Sequence, residues 1–271
     1  MPFKVDAMAH VDELAPAAKE IGSINTVVLV SDGDDVQLVG HNFDWCGVRN
    51  SLLLPLHRPL DAPTPFENGG AAFIIGGGGT TRAAVYALAG DLKLAPIYLI
   101  NRDEAETAQI VAQFPQYDLR PLTSPDDFTD EIASRTVAGV GAIPSIPPAT
   151  DAERNVYAIA DRIFDSVPRL APTSNHLPSA CNNKPLYLEM PYKPRRTLLF
   201  EKAEAAGFEV IGGIEAMIEQ GLAQARAWLF ASAASPYTGQ SDAPTFIPQD
   251  IEDRAREIVR NMADIVTPPK A

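Results

Sequence analysis

Cysteine is scarce. Cys46 and Cys181 are the only two in 271 residues, which leaves no disulfide framework of the kind that holds small secreted folds together. Each reads as a small apolar filler in a reducing compartment. Histidine is equally thin: His10, His41, His57 and His176 show none of the paired spacings by which a helix or hairpin presents two metal ligands. No metal is expected. Long apolar runs are missing too, since none approaches the about 20 residues of a membrane span. The first residues also carry charge where a signal peptide needs an unbroken apolar segment. A cytoplasmic location without membrane contact is therefore expected. Finally, basic charge is in short supply. With 22 Lys and Arg against 35 Asp and Glu, the net charge is −13, and no Lys/Arg stripe is interleaved with aromatic residues. A nucleic-acid partner is not expected.

What is present is a globular composition, 46% hydrophobic and 21% charged, able to build a real core. The length admits two modest domains or one large one. Residues 5–21 read as two short helical pieces, the second opening at Pro16, a residue suited to a first helical turn. INTVVLV and VQLVGHNF flank the turn cluster SDGDD and read as a hairpin within 24–43. The Pro-rich stretch PLHRPLDAPTPFENGG then marks a crossing between domains.

Beyond it, strand and helix alternate: AAFIIGG, TTRAAVYALAG, PIYLINR, EAETAQIVAQF, TVAGVGAI. This alternation predicts an α/β fold with a doubly wound parallel sheet. Residues 144–183 read as irregular, rich in Pro, Ser and Asn. PLYLEM and FEVIGG resume as strands and complete the sheet near 212. GIEAMIEQGLAQARAWLF carries apolar residues at helical spacing, and IEDRAREIVRNMADIV reads as a last amphipathic helix, docked at the surface or in an oligomer contact such as a homodimer.

The turn IIGGGGTTRAA follows an apolar strand and opens a helix, the context that a dinucleotide fingerprint requires. Gly76 allows the tight turn, Gly78 the close approach of a pyrophosphate, and Gly77, Gly79 and Thr80 complete the cradle before the helix N-terminus. Thr81 stands where a third Gly or Ala is usual, which predicts slightly looser packing of helix on strand. The same turn also serves α/β folds that bind nothing there. In LINRDEAE, Asn101 and Arg102 end the second strand near the expected adenosine ribose. Arg102 favours the 2′-phosphate of NADP, and Asp103 keeps NAD as the alternative.

MPFK, GSINTVV, GHNFDWCG, IGGGGTTRAA, NRD, EMPYKPRRTLL and GIEAMIEQ occur in one order, and that order resembles the shikimate dehydrogenase family. It is most similar to the fungal branch, which includes quinate and shikimate dehydrogenases, the last domain of the pentafunctional aromatic-biosynthesis polypeptide, and enzyme-derived quinate-pathway repressors. The likeness spans residues 1 to about 230. It implies a Rossmann-like NADP domain, here 63–212, joined to a substrate domain of which 1–62 is the remainder and to which the helices of 213–271 return. It implies hydride transfer between NADP and shikimate or quinate, with Lys4 and Asp44 as the catalytic pair. Asn25, Tyr192 and Gln220 fall on substrate-binding positions, and Gly213 where a carbonyl meets the nicotinamide amide. For an anionic substrate on so acidic a chain, Lys4 and Arg82 are the local basic groups.

The resemblance departs in three places. Family members carry, before the lysine, a segment with a serine motif that grips the substrate carboxylate. Without it, the expectation is an incomplete substrate domain with an exposed sheet edge and uncovered apolar surface, arising from truncation or from loss of activity. Phe43 replaces a threonine, removing a hydroxyl and adding a ring that would narrow the pocket or shift preference between shikimate and quinate. Glu106 stands where the family often has a second basic residue. The alternative function is a quinate-pathway regulator or pseudoenzyme that binds metabolite or cofactor without turnover.

Overall fold

The computed structural model describes residues 3–32, 35–56, 66, 69–170, 184–230 and 247–262. Cys181, His57, His176 and most of the Pro-rich crossing lie outside those residues. Among the described residues six strands form the larger sheet: β4 (Ala71–Ile75), β5 (Ile97–Ile100), β6 (Leu119–Leu122), β7 (Thr136–Gly141), β8 (Leu186–Glu189) and β9 (Glu209–Gly212). Their spatial order is β6-β5-β4-β7-β8-β9, and every neighbouring pair is parallel. Counted from β4, this is the 3-2-1-4-5-6 order of doubly wound dinucleotide-binding sheets. The central strands β4, β5 and β7 are buried at every position, as an apolar run covered by helices on both faces must be.

The helices that cover it include α3 (Gly79–Val85), which continues as a π-helical stretch Tyr86–Asp91, α4 (Glu104–Gln113), α5 (Asp130–Arg135), α6 (Asp151–Leu170) and α7 (Leu198–Ala206). The expectation of an irregular 144–183 is corrected by α6, whose twenty residues occupy its middle. Its entry is a reciprocal cap: Thr150 Oγ1 accepts the Glu153 N–H at 3.2 Å, and Glu153 Oε2 accepts the Thr150 N–H at 3.1 Å. Val156, Ile159, Ala160, Ile163, Phe164 and Val167 form its buried stripe, and Pro168 falls in the last turn. Edge strand β6 adds to the alternation expected from the sequence. Its Pro121 lacks a ladder donor, which an edge position tolerates.

The smaller sheet has the order β1-β3-β2, with β1 (Glu13–Leu14), β2 (Thr26–Asp32) and β3 (Asp35–His41). The expected hairpin is present, Val28 opposite Val39 and Leu29 opposite Leu38. Before it, Asp6–His10 is a 3-10 turn and α1 (Pro16–Ile21) begins at the anticipated proline. Val28, Val30 and Val39 face the core, whereas Val27, Leu29, Val36 and Leu38 on the other face are 42, 64, 58 and 37% exposed. β2 is an edge strand among the described residues.

Two helices join the sheets. In α2 (Asp44–Leu53) every residue except Arg49 is buried, so no amphipathic stripe signals it in the sequence. It packs against α3, β8 and α8 (Gly213–Phe230). α8 starts directly after β9 and reaches β2, where the Trp228 indole donates to the Val27 carbonyl at 3.1 Å. α9 (Gln249–Asn261) lies antiparallel on α8 through the ion pairs Arg226–Glu252, Arg256–Glu219 and Arg260–Glu215.

Candidate active site

Lys4, Asp44 and Asn25 lie far apart in sequence and meet at the start of the hairpin. The Lys4 ammonium is ion-paired with Asp44 Oδ2, and Asn25 Nδ2 donates to Asp44 Oδ1 at 2.9 Å. Lys4 is held by its own backbone, whose carbonyl accepts the Ile24 N–H at 2.9 Å. Asn25 precedes β2, and its Oδ1 accepts the Phe43 N–H at 3.0 Å and the Thr26 hydroxyl at 2.8 Å. These donors leave the amide only one orientation, with nitrogen toward the carboxylate. Asp44 opens α2, its N–H donating to Asn42 Oδ1 at 3.0 Å, while Asn42 is anchored on Ser23. The Asp44 side chain is 8% exposed and that of Lys4 22%. A buried carboxylate thus carries an ammonium that still faces solvent.

Gln220 sits on the face of α8 that packs on α2. A Cβ at Gly47, one turn along from Asp44, would stand 3.4 Å from Gln220 Cβ. The Gln220 amide is half-buried with no hydrogen-bond partner among the described residues, so it is available to a ligand. Gln224, one turn on, donates to Thr26 Oγ1 at 2.9 Å and ties α8 to the Asn25 network. Tyr192 lies in the connection between β8 and α7, 38% exposed, its ring 5.7 Å from the Lys193 ammonium and its hydroxyl free among the described residues. Gly213 is the buried first residue of α8. The Phe43 ring, expected to narrow a pocket, is 1% exposed and packs in the core, stacked on His41 with centroids 5.2 Å apart. Burial pushes the His41 pKa below its ordinary value.

The Gly-rich turn stands at the C-terminal ends of β4 and β7, where the strand order reverses and doubly wound sheets bind their ligands. Gly76 has φ +135° and a Cβ there would meet the Ala142 carbonyl at 3.1 Å, so only glycine fits without strain. A Cβ on Gly77 would stand 2.0 Å from Asn101 Nδ2 and 2.2 Å from Glu106 Oε2. In contrast, Gly78 and Gly79 are exposed, and no atom of the described residues lies within 4 Å of a Cβ built on either. Beside them opens a cavity of about 280 Å³ lined by Gly77, Gly78, Asn101, Arg102, Ile143 and Pro144, among others. Bare backbone next to a cavity of this size fits the pyrophosphate and adenosine of a dinucleotide. Thr80 follows in the first turn of α3. Thr81 is fully buried, and among the described residues neither its hydroxyl nor the buried Arg82 Nε has a hydrogen-bond partner. Gly213 and Tyr192 do not line this cavity.

Two residues that support the site, Glu153 and Gln224, and one buried acid beyond it, Glu189, stand out only in the folded chain. Glu153 reaches back from α6 to form an ion pair with Arg102, 51 residues away. Gln224 buttresses Asn25 through Thr26. Glu189, at the end of β8, is 1% exposed and accepts hydrogen bonds from Tyr187 at 2.6 Å and Thr197 at 2.8 Å. Burial pushes its pKa up to about 7 against the pull of those two hydroxyls. Its signal was available, as an acid inside the apolar run PLYLEM.

No family model matches the chain. A quinate dehydrogenase of Emericella nidulans is 34% identical over 264 residues, covering 94% of this chain and 75% of that protein. Among solved structures, dehydroquinate dehydratase and shikimate dehydrogenase from S. pombe superposes with a TM-score of 0.68 at 27% identity, over 96% of this chain. This chain spans 42% of that longer one. A shikimate 5-dehydrogenase from Mycobacterium fortuitum gives 0.61 at 25% identity, over 94% of this chain and 75% of its own. With a relative of that identity covering most of both chains, and with these folds alongside it, the chain belongs to the shikimate/quinate dehydrogenase family.

Proposed function

We propose that this chain is an oxidoreductase that interconverts shikimate and 3-dehydroshikimate, or quinate and 3-dehydroquinate, with a nicotinamide dinucleotide as hydride partner. The observation that carries this reading is the Lys4–Asp44 pair, fixed by Asn25 and next to a helix that packs on the dinucleotide-binding half. When bound, the dinucleotide supplies or accepts the hydride.

Oxidation of a ring hydroxyl breaks its C–H bond, with both electrons leaving as hydride, and its O–H bond, with the proton going to the protein. Lys4 holds the hydroxyl oxygen and passes that proton to Asp44 or solvent, and reduction returns it by the same route. The buried carboxylate, gripped by Asn25, keeps the ammonium in place at the moment of transfer. Gln220 and Tyr192 offer polar groups, without hydrogen-bond partners among the described residues, to the remaining hydroxyls, and Gly213 offers its carbonyl to the nicotinamide amide. Gly76, Gly77, Gly78, Gly79 and Thr80 hold the pyrophosphate, and Asn101 and Arg102 border the adenosine. In this reading residues 1–62 and 213–271 serve the substrate and 63–212 the cofactor.

The test is Lys4→Ala. Turnover of both substrates is expected to fall by a factor of about a hundred or more, while dinucleotide affinity stays near wild type. Turnover at the wild-type rate would remove Lys4 from the mechanism. A folded protein that binds dinucleotide yet turns over neither substrate would leave a regulator as the better reading.

A further inference from the structure

From the adenosine end of the cavity we infer that Glu106 and Glu153 make this protein select NAD over NADP. The inference rests on the dinucleotide reading above and concerns the part of the ligand that distinguishes the two cofactors, the ribose 2′ position.

Arg102 is the residue that would welcome a 2′-phosphate, and its guanidinium is already ion-paired with Glu153. That carboxylate is not a loose surface group. Glu153 Oε2 accepts the backbone N–H groups of Ala149 at 2.9 Å and Thr150 at 3.1 Å, as the reciprocal cap of α6. These donors hold its pKa down at about 2, so it remains an anion at every pH of interest. A 2′-phosphate must therefore compete with a fixed carboxylate for Arg102.

Glu106 adds a second fixed anion to the same cavity. It lies in the first turn of α4, whose cap Asp103 accepts the Glu106 N–H at 3.0 Å. Its carboxylate accepts Asn101 Nδ2 at 2.9 Å and reaches to 2.2 Å from where a Gly77 Cβ would be. Asn101 is itself pinned by its bond to the Asp103 carbonyl at 3.1 Å. Among the described residues, the ionisable side chains lining the cavity are thus Arg102, Glu106, Glu153 and the Tyr157 phenol, one cation against two anions. A free ribose 2′-hydroxyl can donate to a carboxylate there, whereas a phosphate brings further negative charge and no comparable donor. Freeing Arg102 to meet the phosphate leaves Glu153 facing it as well.

Titration of the purified protein with NADH and with NADPH, followed by the fluorescence of the reduced nicotinamide, reads this without turnover. NADH is expected to bind at least about tenfold more tightly, with the gap narrowing as salt is raised. Glu106→Gln and Glu153→Gln are each expected to shrink the ratio several-fold by tightening NADPH. Equal affinity of the wild type for both, or a ratio that neither substitution changes, overturns the inference while leaving the dinucleotide site standing. Binding of neither by folded protein overturns the dinucleotide reading and this inference together.

Discussion

Asn25 Nδ2 and Asp44 Oδ1 stand 2.9 Å apart, and the other end of the same amide accepts the N–H of Phe43, the residue just before that aspartate. One side chain therefore fixes both the carboxylate and the backbone that carries it. Asn25→Asp keeps the shape, replaces the donor with a second carboxylate, and sets two anions against each other. Turnover is expected to drop by about tenfold or more, with substrate-independent dinucleotide binding unaffected. A kcat equal to wild type would show that the amide does not position the pair.

Gly77 and Gly78 are neighbours with opposite surroundings, and their substitutions should separate fold from ligand. A side chain at Gly77 runs into Asn101 and Glu106, whereas a Cβ at Gly78 meets no atom of the described residues within 4 Å. Gly77→Ala is expected to lower thermal stability, by about 1–3 kcal/mol for an overpacked site. Gly78→Val should melt close to wild type, yet it should lose dinucleotide affinity because the side chain occupies the space left for pyrophosphate. Unchanged affinity in a folded Gly78→Val protein would place the dinucleotide elsewhere.

Glu189 predicts a pH dependence of stability. Its folded pKa, about 7, lies above the ordinary carboxylate value because the group is buried. Below that ordinary value both folded and unfolded chains hold the proton, and its contribution is fully present. As pH rises toward about 7 the unfolded chain releases the proton more readily, so stability is lost, and above that the loss is complete. Glu189→Gln lacks this titration. Relative to the variant, wild type should weaken between about pH 5 and about pH 8 by an amount on the order of a few kcal/mol in urea unfolding. Parallel curves for the two proteins would contradict the assignment.

The larger sheet was legible because each central strand is an apolar run closed by a turn, and α8 because its apolar spacing is regular. The helix runs from Gly213 to Phe230, the full length of the stretch GIEAMIEQGLAQARAWLF. α6 was hidden by the proline-rich stretches on either side of it, and α2 by being buried nearly all round. Lys4, Asp44 and Asn25 carry no signal individually. Lys4 and Asn25 lie 40 and 19 residues from Asp44 along the chain, and only the resemblance singled them out. The tie between Arg102 and Glu153 could not be read at all, since it depends on where α6 starts in space. That tie changes the electrostatic meaning of the arginine on which the expectation of NADP rested.

The measurement that tests the account most directly is the absorbance of reduced nicotinamide, with purified protein offered shikimate and quinate separately, each with NAD and with NADP. The account predicts reduction with at least one substrate, faster with NAD, and its disappearance in Lys4→Ala. A folded protein that binds dinucleotide and reduces none of it with either substrate would contradict the central claim.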